Sequence, residues 1–140
     1  MFFLLKNSKI LHGEHGSTFG GNPLACVVAK AALEVIVNEK LADNAMELGN
    51  HFRSELSKFI KTSSLVKLVR GKGLLNAIVI NDSETSETAW NLCIEMKNNG
   101  LLAKPTHGNI IRFAPPLTIT KNQLNDCIKI ITETIKSYKT

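Results

Sequence analysis

Gly13-Glu14-His15-Gly16-Ser17-Thr18-Phe19-Gly20-Gly21-Asn22-Pro23 is the stretch around which the rest of the chain is read. Its glycines let the backbone adopt positive φ and come close to a ligand. Ser17 and Thr18 add two hydroxyl donors. Asn22 followed by Pro23 predicts a helix start, with asparagine as N-cap and proline at the first helical position. Glycines, hydroxyls and a helix start suit an anion such as phosphate. By spacing alone the stretch fits equally well a tight glycine turn that leads into a helix.

Outward from Pro23, residues 23–39 read as a helix. Leu24, Val28, Ala31 and Val35 recur at helical steps, and Val27, Ala32 and Ile36 widen the stripe. The width predicts burial on more than one side. Asn38 and Lys40 suggest a break. A second helix over residues 41–61 carries Leu41, Ala45, Leu48, Phe52, Leu56 and Phe59 on one face. Residues 65–70 and 74–80 read as strands around Gly71-Lys72-Gly73. A polar loop and a helix over residues 87–98 follow, stopped by Asn99-Gly100. Residues 101–103 and 109–113 are expected as strands about a Lys104-Pro105-Thr106-His107-Gly108 loop, and Pro115-Pro116 ends the sheet. Thr120 with Gln123 forms a capping box for the last helix, and Ile119 with Leu124 a hydrophobic staple. The order predicts a two-layer α+β domain.

The chain has 140 residues, enough for a core of its own. Its net charge of +5 is spread along the chain, so no nucleic-acid patch is visible. The apolar run at residues 1–5 is far too short to span a bilayer and lacks signal-peptide flanks; no transit peptide is evident. Cys26, Cys93 and Cys127 fall on predicted helices and read as buried thiols in a reducing compartment.

Arg112 stands in the apolar run Ile110-Ile111-Arg112-Phe113, where an unpaired charge is costly. A guanidinium there suits a carboxylate ligand; an edge-strand arginine reaching to solvent fits as well. Lys72 and Lys104 invite a Schiff-base assignment but read as solvated or structural lysines, and Lys6 and Lys9 lack a surrounding motif. His15 and His107 read as turn or loop histidines rather than acid–base groups. His12, Glu14 and His15 do not have metal-ligand spacing, so no metal site is expected.

The run from His15 to Ala25 resembles class-III pyridoxal-phosphate-dependent aminotransferases, the group that handles ornithine, acetylornithine and 4-aminobutyrate. Val69-Arg70-Gly71-Lys72-Gly73-Leu74-Leu75-Asn76-Ala77, the run from Asn99 to Gly108, and Ile110-Ile111-Arg112-Phe113-Ala114-Pro115-Pro116-Leu117 narrow the resemblance to the ornithine branch. It extends from Gly13 to the C-terminus and corresponds to the last third or so of the family's chain. The resemblance implies fold type I, the aspartate-aminotransferase fold. Residues 1–22 would be a remnant of the large-domain segment with the phosphate-binding loop, and residues 23–61 connecting helices. Residues 62–140 would form the small C-terminal domain, a short, mostly antiparallel sheet covered by helices.

The same resemblance implies pyridoxal 5'-phosphate as cofactor, with Thr18 and its companion Ser17 on the phosphate bound by the neighbouring subunit of a homo-oligomer. It implies that Arg112 binds a substrate carboxylate, notably that of 2-oxoglutarate. The Schiff-base lysine would lie upstream, so this chain alone is expected to be inactive. The expected reaction moves the δ-amino group of L-ornithine to a 2-oxo acid, with amino acids and 2-oxo acids as partners and neither nucleic acid nor membrane. The expected compartment is the mitochondrial matrix, with the cytoplasm as alternative. A reading of another class is a non-catalytic anion-binding or dimerisation module from a degraded paralogue.

Overall fold

A computed structural model describes Gly13 and residues 16–138. The chain divides into two units, Met1–Lys40 and Leu41–Thr140. In the first, helix α1 spans Pro23–Asn38. The Asn22 side chain accepts from the Ala25 N–H at 2.9 Å and proline occupies the first turn, as the sequence predicts. None of the α1 side chains is buried, with Leu24 at 74% and Val27 at 66% exposure. The expected burial on more than one side is therefore not met. A wide apolar stripe buries only against a second element, and the described residues of this unit contain no other helix or strand. Cys26 shares this exposure, against the expectation of a buried thiol.

The second unit holds α2 (Leu41–Ile60), β1 (Val66–Lys72), β2 (Leu75–Ile80), α3 (Thr88–Asn98), β3 (Lys104–Thr106), β4 (Ile110–Phe113) and α4 (Lys121–Ser137). The strands form one antiparallel sheet in the order β1-β2-β4-β3. Strand alternation sends Asn76, Ile78, Ile80, Ile111 and Phe113 to one face, all buried. Helix α2 covers that face with Leu41, Ala45, Leu48, Phe52 and Leu56, at the helical spacing the sequence predicts. Phe52 meets Phe113 with ring centroids 5.7 Å apart. Leu92, Met96, Leu124 and Ile131 of α3 and α4 complete the core. Each such aliphatic burial contributes about 1.5–3 kcal/mol. The two-layer α+β architecture is the one expected.

The strand assigned to residues 101–103 is not formed; β3 occupies Lys104–Thr106, within the expected loop. Pro105 pairs with Ile111 at the edge of the sheet, where its missing N–H breaks no interior ladder. The β1–β2 turn rests on α2. Gly49 makes this possible, because a Cβ there would meet the Gly73 carbonyl oxygen at 1.8 Å. Arg53 Nη1 donates to that carbonyl at 2.9 Å and to Asn76 Oδ1 at 2.6 Å, while Nη2 donates to Asn50 Oδ1 at 2.6 Å. Asn76 Nδ2 also donates to the Gly73 carbonyl, at 3.1 Å. A buried asparagine is thus satisfied and β2 is held to α2 by hydrogen bonds. At α4 the capping box forms as read, with the Gln123 N–H donating to Thr120 Oγ1 at 3.3 Å and the Thr120 N–H to Gln123 Oε1 at 2.9 Å.

Candidate functional site

Strand β4 buries Ile111 and Phe113, and alternation turns Arg112 to the opposite, open face of the sheet. Arg112 is exposed and makes no ion pair among the described residues. It is not the solvent-reaching arginine of an edge strand, because β4 lies between β2 and β3. Directly opposed residues of neighbouring strands share a face. Arg70 opposes Ala77, Ala77 opposes Arg112, and Arg112 opposes Lys104. Three cations therefore lie in one row across four strands, with only a methyl group between Arg70 and Arg112. Arg112 borders two shallow recesses, one of about 240 Å³ shared with Lys104 and one of about 340 Å³ shared with Arg70 and Lys72.

The sequence singled out Arg112 but missed what stands beside it. Its neighbours are set by register across strands, which is non-local. The alternation of Arg70 and Lys72 at strand period was the available signal for their side of the sheet. Lys72 and Lys104 are exposed. His107 is an exposed turn residue at φ 51°, and the Asn109 N–H donates to its carbonyl at 2.8 Å. Burial pushes the Cys93 thiol up to about 11 and also raises Cys127, which disfavours the thiolate form of both. No cluster of metal-ligating side chains occurs among the described residues. Lys6, Lys9, His12, Glu14 and His15 lie outside them.

In the first unit, Ser17 and Thr18 stand in the turn before α1. Both are exposed, and neither hydroxyl makes a hydrogen bond among the described residues, whereas Asn22 is committed to Phe19 and Ala25. Gly21 sits at φ 78°, where a side chain would be strained. A Cβ on Gly20 would lie 3.0 Å from Ser17 Cβ. Two hydroxyls without hydrogen bonds among the described residues, beside bare backbone, are donors of the kind an anion takes.

A model of the family described as aminotransferase class-III matches residues 6–135. The chain is 61% identical over 125 residues to the mitochondrial ornithine aminotransferase of Drosophila ananassae, covering 89% of this chain and 28% of that protein. It is 54% identical to the mitochondrial ornithine aminotransferase of Rattus norvegicus, covering 90% of this chain and again 28% of the relative. Among solved structures, acetylornithine aminotransferase from Elizabethkingia anophelis superposes with a TM-score of 0.87 at 65% identity, over 92% of this chain and 32% of that one. Plasmodium falciparum ornithine δ-aminotransferase superposes with a TM-score of 0.81 at 46% identity, over 91% and 33%. The chain thus spans between a quarter and a third of the proteins it resembles. Class-III aminotransferases are pyridoxal-phosphate enzymes. The motifs around Thr18 and Arg112, the antiparallel sheet under its helices and a family match across nearly the whole sequence agree: the chain belongs to the class-III aminotransferases.

Proposed function

We propose that this chain is the C-terminal part of a pyridoxal-phosphate-dependent ornithine aminotransferase. The observation that carries the reading is Arg112, an exposed guanidinium held on an interior strand with no ion pair among the described residues. The names of the fly and rat relatives support ornithine as donor. Residues 1–22 then belong to the large-domain segment, 23–61 to the connecting helices and 62–140 to the small domain. Thr18 and Ser17 hold the cofactor phosphate of the neighbouring subunit in a homo-oligomer. The cofactor, when bound, supplies the electron sink for amino transfer. Arg112 takes a substrate carboxylate in a bidentate fork and so orients it. The Schiff-base lysine is upstream, and the 140-residue polypeptide alone does not transaminate ornithine. The mitochondrial matrix is the proposed compartment, on the names of the same two relatives; the cytoplasm is the alternative, since those of Emericella nidulans and Schizosaccharomyces pombe carry none.

The test is the complete subunit, built from the coding sequence upstream. Ornithine and N-acetylornithine are compared as donors, with 2-oxoglutarate as acceptor. Ornithine is expected to be preferred. Arg112→Lys keeps the charge and loses the fork, so it should raise KM for 2-oxoglutarate more than KM for ornithine. A preference for N-acetylornithine overturns the donor assignment. Wild-type constants in Arg112→Lys overturn the site, and turnover by the 140-residue chain overturns the placement of the lysine.

A further inference from the structure

Asn99-Gly100 is the only asparagine–glycine pair in the sequence. Glycine has no side chain to hinder its own backbone nitrogen, so this dipeptide is open to self-modification. In that reaction the Gly100 nitrogen gives its proton to water and bonds to Asn99 Cγ. The Cγ–Nδ2 bond breaks, ammonia leaves and a succinimide ring remains. Water then opens the ring at either carbonyl, giving aspartate or isoaspartate.

The fold holds both reacting groups back. Asn99 ends α3 at φ −89° and ψ 8°, and Gly100 follows at φ 91°. The Gly100 N–H donates to the Lys97 carbonyl at 3.0 Å and the Leu101 N–H to that of Met96 at 2.8 Å, a Schellman stop. The attacking nitrogen is therefore engaged. The leaving amide is tied as well: Asn99 Nδ2 donates at 3.2 Å to Oγ1 of Thr134, a buried residue of α4. Ring closure needs a ψ far from 8°, so both hydrogen bonds must break first. Every partner lies within the second unit.

We propose that Asn99 is a latent modification site, kept as asparagine by its Thr134 anchor and the Gly100 hydrogen bond, and converted to aspartate or isoaspartate by local opening where α3 ends. Asn99 is exposed, so water reaches it without global unfolding. Segments open locally at lower free energy than the whole unit, and exposed helix ends are among them. The product does not fit the original cap. Aspartate sets a negative charge at the C-terminus of α3, against the helix dipole. Isoaspartate lengthens the main chain by a methylene between α3 and β3. A transient local opening is thereby recorded as a permanent loosening of the segment that leads into β3.

The experiment ages the 140-residue chain in mildly alkaline buffer, with and without unfolding urea. The peptide that contains Asn99 is followed by mass spectrometry, with isoaspartate resolved by chromatography. Unfolded chain should convert at least roughly 10-fold faster than folded chain. In the folded chain Thr134→Val, which removes the acceptor and keeps the shape, should raise the rate about 5-fold, the size of one lost hydrogen bond, and Thr134→Ser should restore it. Thr120→Ala weakens the same helix at its other end without touching Asn99 and should leave the folded rate unchanged. Equal rates with and without urea, or no effect of Thr134→Val, overturns the proposal. So does an equal rise in Thr120→Ala, which would place the control in global unfolding. Gly100→Ala tests the chemistry in urea, where the backbone is free: conversion should slow sharply, and a wild-type rate overturns the ring-closure route.

Discussion

Helices α1 and α2 follow each other in sequence with Lys40 at φ 51° among the residues between them, and they teach opposite lessons. By composition α1 is the more apolar, yet it buries nothing. Helix α2 carries Asp43, Glu47, Arg53, Glu55 and Lys58, yet buries a continuous stripe from Leu41 to Leu56. Apolar content therefore says which side chains gain from burial, not whether they obtain it. Burial requires a complementary surface, and within its unit α2 has β1, β2 and α4.

The sharpest way to break this contrast is thiol chemistry. Cys26 on α1 is exposed, whereas Cys93 on α3 is buried with its thiol pushed up to about 11. With a disulfide reagent at neutral pH, Cys93 should react at least roughly 10³-fold more slowly than Cys26, because it waits for unfolding. Comparable rates would mean that the second unit opens readily and that the contrast is false.

Core truncation comes next. Phe52→Ala should destabilise the second unit by about 3–5 kcal/mol in urea unfolding. Val27→Ala, at 66% exposure, should change stability by less than about 0.5 kcal/mol. A matching loss from both variants would show that α1 is covered in solution.

Arg53 tests whether α2 is held by more than apolar contact. Arg53→Met keeps much of the stem, strands Asn76 Oδ1 and leaves the Gly73 carbonyl with the Asn76 Nδ2 donor only. The expected cost is about 1–3 kcal/mol. An unchanged urea midpoint would reduce the polar link to decoration.

Caps separate local from tertiary stabilisation. Thr120→Ala should cost about 1 kcal/mol of global stability, since α4 is packed into the core. Asn22→Ala removes a similar bond, yet should lower only the helicity of α1 seen by circular dichroism. A shift of the unfolding midpoint in Asn22→Ala would contradict this.

The smallest effect concerns acid. The Thr88 hydroxyl, with the Ser83 N–H, holds the Asp82 carboxyl below the usual carboxylate range. A depressed folded pKa means the unfolded state binds the proton more readily, so stability rises with pH. The contribution is complete above the ordinary aspartate value of about 3.9 and is lost as pH falls through the lower folded value. Wild-type protein should lose stability relative to Asp82→Asn below about pH 4. A difference that stays constant through that range would show that the hydrogen bond does not favour the charged form.

The sequence by itself determined what is local. The Asn22-Pro23 start, the Thr120–Gln123 box, the stripe on α2 and the lone charge in Ile110-Ile111-Arg112-Phe113 each depend on residues within a turn or two of one another, so spacing suffices to read them. The short runs around Lys104 were misread because three residues of strand carry too little periodicity, and a proline argues against a strand until its place at the sheet edge is known. Only the tertiary structure decided that α1 lies exposed, that Arg53 reaches Asn76 and Gly73, and that Arg70, Arg112 and Lys104 share one row. Each of these depends on register or contact between segments far apart in the chain, and such pairings are set by the packing of the whole unit rather than by any window of sequence.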